Sequence, residues 1–167
     1  MSKAFTREAD NDDEFAPIPP RSALPPGVKN YLTTDGAQRL REEVARLLEH
    51  ERPALAAEDD PASVRRRQLL DQRVQWLVES LQAAVVIDPA TQPHDQVRFG
   101  ATVQVRSQSG VESTYRIVGV DEADVDRGWI SWLSPIAKAM VNARVGQQVR
   151  VRLPDGWEEL EVLQIGY

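Results

Sequence analysis

The spacing of apolar residues changes halfway along the chain, and that change restricts the fold more than any other feature. From Thr34 to Ala57, Ala37, Leu40, Val44 and Leu47 recur at steps of three, four and three, with Leu48 widening the stripe. That spacing is one face of a helix or the seam of a coiled coil. Thr33 or Thr34 can cap its start, and Asp35 complements the positive end of the helix dipole. Pro53 lies inside the run and removes a backbone donor, which predicts a kink or local weakening there. Glu58-Asp59-Asp60-Pro61 is a turn signal, with Asp60 or Ser63 as the next cap. A second stripe follows in Leu70, Val74, Leu77 and Leu81, then Ala84 or Val85, and Asp88-Pro89 is expected to stop it.

Two such helices joined by a short turn should pack as an antiparallel hairpin. A helix from Thr34 to Ala57 would be roughly 36 Å long at 1.5 Å per residue. A lone pair of helices is thin, so part of it must lean on another unit.

Beyond the linker 90–95 the period drops to two. Val97, Phe99, Ala101, Val103 and Val105 alternate, and Ser107-Gln108-Ser109-Gly110 reads as a hairpin turn. Further strands are predicted over 112–120, 128–132, 148–153 and 158–165, with a short helix over 136–141 opened by Ser134-Pro135. The fold class is therefore α+β: an N-terminal helical hairpin over 31–88, then an antiparallel-rich sheet domain with a short helix over 93–167. Residues 1–30 read as a disordered tail. Glu8, Asp10, Asp12, Asp13 and Glu14 make its start acidic and five prolines follow, too little apolar surface to offset the entropy of ordering.

Composition narrows the function. A net charge of −6 argues against a chain that grips duplex DNA by itself, leaving action on a nucleic-acid process through a protein partner. The one dense basic cluster is Arg65-Arg66-Arg67. The absence of cysteine removes disulfides and thiolate metal sites, and His50 and His94 have no ligand spacing. No apolar run approaches the ~20 residues of a membrane span, and the N-terminus lacks the apolar core of a secretion signal, so a cytoplasmic protein is expected. No phosphate loop, zinc spacing or Ser-His-Asp set points to an independent enzyme.

Several segments in order resemble the GreA/GreB family of transcription factors, over about residues 31–167. They are Tyr31-Leu32-Thr33-Thr34-Asp35-Gly36 with Leu40, Glu51-Arg52-Pro53, and Val97-Arg98-Phe99-Gly100-Ala101. Tyr115-Arg116-Ile117-Val118-Gly119 with Asp121-Glu122 follows, then Trp129-Ile130-Ser131, Ser134-Pro135-Ile136-Ala137-Lys138-Ala139-Met140 and Val145-Gly146. The resemblance implies an FKBP-like C-terminal domain that binds RNA polymerase at the rim of its secondary channel. A coiled-coil hairpin then enters the channel, and its tip carboxylates help hold magnesium jointly with the polymerase, which cleaves its own RNA. Contact with nascent RNA or DNA would be indirect, with no membrane involved, and the protein would act as a monomer. Partner contacts would fall on Leu133, Ser134, Pro135 and Ile136, unless Leu133 simply packs inward, and Arg65, Arg66 and Arg67 would form an RNA-facing basic patch or else a solvated helix face paired with Glu58 to Asp60.

One departure bears on activity. The family's tip run of Gly-Asp followed by Glu-Asn-Ala-x-Tyr is missing, and the stretch from Pro53 to Val74 is about two heptads shorter than in the cleavage factors. Losing one heptad per arm keeps the packing phase and withdraws the tip by about 10 Å. Metal ligand distances are only about 2 Å, so weak or absent cleavage is expected. The acids left at the tip are Glu58, Asp59 and Asp60. Either they form a relocated metal site or plug, or they are a solvated turn in which Asp60 caps a helix. An active cleavage factor using these three acids, and a regulator resembling Rnk, are the alternatives. A prolyl isomerase would need an apolar, aromatic-lined pocket.

Overall fold

The computed structural model describes residues 24–58 and 60–167; most of the expected tail and Asp59 lie outside these. After a turn at Pro25–Gly27, β1 (Asn30–Thr33) leads directly into α1 (Thr34–Arg46). Thr33 is the cap: its Oγ1 accepts from the Gly36 amide at 2.9 Å. The helix then widens into a π segment, Leu47–Glu51, and continues as α2 (Arg52–Ala56). The π turn accounts for the fate of Pro53. Arg52 donates back to Leu47, five residues earlier, and the chain passes the proline without breaking. After the turn, α3 (Pro61–Ala83) runs for 23 residues, about 35 Å by helical rise.

Contacts between the helices run in reverse order. Glu43 meets Arg73 at 2.9 Å and Arg52 meets Asp71 at 2.8 Å, while Asn30, ahead of the first helix, meets Ser80 near the end of the last. The two legs are thus antiparallel. Leu32, Ala37, Leu40, Leu47, Leu70 and Leu77 form their buried seam, flanked by Val44, Leu55, Val74 and Leu81. Leu48 does not widen the stripe: it is 43% exposed, about 100° around the helix from the buried Leu47.

The second leg ends earlier than the Asp88-Pro89 stop predicts. Ala84 is already extended, and β2 (Ala84–Ile87) pairs in parallel with β1 over the four steps from Asn30↔Ala84 to Thr33↔Ile87. Val85, Val86 and Ile87 are β-branched in succession, which weakens the helix where a strand partner is at hand.

The remaining strands form one sheet, in the order β5-β4-β3-β7-β6. They are β3 (Thr102–Ser107), β4 (Glu112–Val118), β5 (Trp129–Ser131), β6 (Gln148–Leu153) and β7 (Gly156–Gly166). All pairs are antiparallel except β4 with β5. Helix α4 (Pro135–Met140) covers one face, and Val103, Val105, Ile117, Ala137, Met140, Val151, Leu160 and Val162 fill the core between them. The alternation from Val97 to Ala101 is not strand. Gly100 takes φ +87° in a turn against Pro89, and the ladder begins only at Thr102. The architecture is α+β.

Leu77 is 1% exposed in the helical seam. Leu77→Ala should cost about 2–5 kcal/mol of unfolding free energy in a urea titration. Leu48→Ala, at the surface, should stay within about 0.5 kcal/mol of wild type.

Candidate functional site

The turn between the legs holds the acids singled out from sequence. Asp60 is the cap of α3: its Oδ1 accepts from the amides of Ala62 at 2.9 Å and Ser63 at 3.0 Å. Its Oδ2 lies 2.6 Å from Ser63 Oγ, and Glu58 Oε2 lies at the same distance from that hydroxyl. Ser63 is 1% exposed although both acids are exposed. One hydroxyl carries one proton, so it serves one of the two carboxylates at a time. Hydrogen bonds from the Ser63 hydroxyl and amide, then from Ala62, hold the Asp60 carboxyl below its ordinary value. Asp60 Oδ1 is therefore engaged in closing the turn, and Oδ2 shares the Ser63 hydroxyl with Glu58. Asp59 lies outside the described residues.

One turn further along α3, Arg65 is exposed, and Arg66 and Arg67 are half-buried. The structure places this cluster within two turns of Asp60 along α3. It does not bring the tip to the other candidate segment, Leu133–Ile136. Trp132 packs edge-on to Tyr31 at 5.0 Å, so that segment begins beside the base of the helical pair, while the tip is the far end of α3. Ser134 caps α4, accepting from the Ala137 amide at 3.2 Å, and Ile136 packs against the sheet core. Leu133 is half-buried, and Pro135 is the exposed member of the four.

Sequence reasoning missed the residues that join the two units. The short turn Val120–Glu122 presents two adjacent acids to the base of the helices. Glu122 is buried. Its Oε2 accepts from the Thr33 amide at 2.8 Å and the Gly119 amide at 3.0 Å, and its Oε1 accepts from Thr33 Oγ1 at 2.5 Å. Arg39 adds a longer contact at 3.4 Å and lies over the Trp129 ring, 4.6 Å from its centroid. Asp121 accepts from Asn30 at 3.2 Å and from the Ser80 hydroxyl. The approach is close enough to require glycine: a Cβ on Gly36 would sit 1.9 Å from Glu122 Oε1, and one on Gly119 would sit 2.1 Å from the Tyr31 carbonyl. Asp121 and Glu122 stood inside a recognised motif, but a sequence motif does not say which distant amides its carboxylates face.

Known proteins resemble this chain over most of its length. Residues 92–167 match the family model described as transcription elongation factor, GreA/GreB, C-terminal. Transcription elongation factor GreB of Neisseria meningitidis serogroup B is 40% identical over 154 positions, covering 83% of this chain and 94% of that protein. Transcription elongation factor GreA of Alkalilimnicola ehrlichii is 38% identical, covering 81% and 96%. Among solved structures, GreA factor homolog 1 (Gfh1) of Thermus thermophilus is 25% identical, covering 84% of this chain and 100% of that one, with a TM-score of 0.39. The chain belongs to the GreA/GreB family of transcription elongation factors and is GreB-like within it.

The cap at Asp60 has a measurable signature. Asp60→Ala should lower Tm, whereas Asp60→Asn, which keeps a capping oxygen, should lower it less. A depressed folded-state carboxyl contributes stability that is present above its unfolded value and lost as pH falls through the folded one. The Tm gap between wild type and Asp60→Ala should therefore close as pH drops below about 4.

Proposed function

We propose that this chain regulates transcription elongation by binding RNA polymerase at the rim of the secondary channel, with weak or no stimulation of transcript cleavage. The FKBP-like sheet domain docks, with Leu133, Ser134, Pro135 and Ile136 at the contact. The antiparallel coiled coil enters the channel, bringing Arg65, Arg66 and Arg67 toward RNA. The protein acts as a monomer on the polymerase and is not itself an enzyme.

The observation that carries the reading on cleavage is the engagement of Asp60. A carboxylate that already serves two amides of its own helix start and shares the Ser63 hydroxyl is poorly placed to hold magnesium jointly with the polymerase. Glu58 shares the same hydroxyl. Among the described residues, no group of three acids or histidines is arranged to hold a metal ion.

A second observation supports a short hairpin. The match to the Neisseria GreB runs over 154 positions, yet 83% of 167 residues is only about 139. About fifteen positions of the relative therefore have no counterpart here, close to the two heptads expected between Pro53 and Val74.

Backtracked elongation complexes of the cognate polymerase, incubated with the protein and magnesium, provide the test. RNA should shorten little faster than without the protein, while the protein competes with a true cleavage factor for the complex. Rapid shortening that disappears in an Asp59→Ala, Asp60→Ala variant would establish the alternative, an active factor working through Glu58, Asp59 and Asp60. Failure to bind polymerase would remove the channel reading altogether.

A further inference from the structure

We infer that Asp121 and Glu122 are positioning residues that hold the helical pair by both legs and so fix the direction in which its tip projects from the sheet unit. The inference rests on the channel reading only for its consequence in transcription; the geometry stands apart from it.

A hairpin attached at one point can pivot about that point, whereas attachment at two separated points removes the pivot. Here the two points belong to consecutive residues of one short turn. Glu122 takes the start of the first leg, through the Thr33 amide and hydroxyl. Asp121 takes the end of the second leg, through the Ser80 hydroxyl, and Asn30 beside it. Asn30 in turn donates to the Ser80 hydroxyl and carbonyl, both at 3.1 Å, tying the legs to each other at the base. Asn30, Thr33, Ser80 and Glu122 are all buried, so water competes little for these bonds. The Thr33 hydroxyl both caps α1 and donates to Glu122, which couples the helix start to the sheet unit through one oxygen. Arg39 over Trp129 braces the same leg from outside. With a lever of about 35 Å from base to tip, a rotation of a few degrees at the base moves the tip by ångströms.

The natural chain has no cysteine, so two introduced ones report a single distance. Spin labels would be placed at Gln68→Cys, exposed near the tip, and Val125→Cys, 92% exposed on the sheet unit. Distance distributions would be measured for the full chain and for Glu122→Gln, Asp121→Asn and Thr33→Val, each at a temperature where it is folded. Glu122→Gln removes the charge and sets an amide donor against the Thr33 hydroxyl, which must then accept where it donated; Thr33→Val removes the hydroxyl bond while leaving the Thr33 amide in place.

In the folded variants the distribution should broaden by roughly twofold or shift, most in the Asp121→Asn, Glu122→Gln double variant. The double variant should also compete about tenfold less well than wild type with a true cleavage factor for backtracked complexes. A residue that served stability alone would lower Tm and leave the distance in the folded state unchanged; that result overturns the inference. So does a broadened distribution with competition as strong as wild type. If the wild-type chain does not compete for polymerase, the channel reading fails, and the distance measurement still decides the clamp.

Discussion

The buried carboxylate of Glu122 is the constraint on which the rest of the structure depends. A desolvated carboxylate must be matched by donors, and it finds them on both units: the Gly119 amide on its own side, the Thr33 amide and hydroxyl on the other. Satisfying it determines where α1 starts, because the same Thr33 hydroxyl accepts from the Gly36 amide. It determines which residues tolerate the approach, because side chains at Gly36 and Gly119 would strike the carboxylate and the Tyr31 carbonyl. Removing the acid would leave several buried donors unmatched at once, a larger penalty than the loss of any one bond.

From that base outward, the helical pair is held mainly by a narrow leucine seam and by ion pairs along its flanks. Exposed ion pairs contribute little, so the seam carries most of the pair's stability. The π segment lies in the middle of the first leg, ahead of Pro53. The helix carries on past the proline, and Leu55 packs against the seam beyond it. The tip then closes on Ser63, whose buried hydroxyl draws in Glu58 and Asp60. The charge that made this turn a candidate metal site is the charge that starts the second helix.

Much of this was legible in residue order. The two leucine stripes, the turn between them, the switch to alternation and the Ser134-Pro135 opening of α4 all correspond to elements, because each follows from local periodicity or capping. Three features were not legible. The pairing of Ala84–Ile87 with Asn30–Thr33 joins segments fifty-four residues apart, and its residues read equally well as the last turn of a helix. The alternation at Val97–Ala101 has the strand period, yet Gly100 at positive φ and the packing of Pro89 make it a turn. The roles of Asp121 and Glu122 depend on amides some ninety residues away.

By itself, then, the sequence determined the α+β class, the two-legged helical unit, the family and the composition of the tip, since these rest on short-range patterns and ordered motifs. Tertiary structure alone decided that Asp60 rather than Ser63 is the cap, that Glu58 meets the same buried hydroxyl, and that two neighbouring carboxylates seize both legs of the helical pair. The physical reason is that a hydrogen bond to a buried charge is a matter of distance in space. Nothing in the spacing of residues along a chain reports which donors folding will bring within 3 Å.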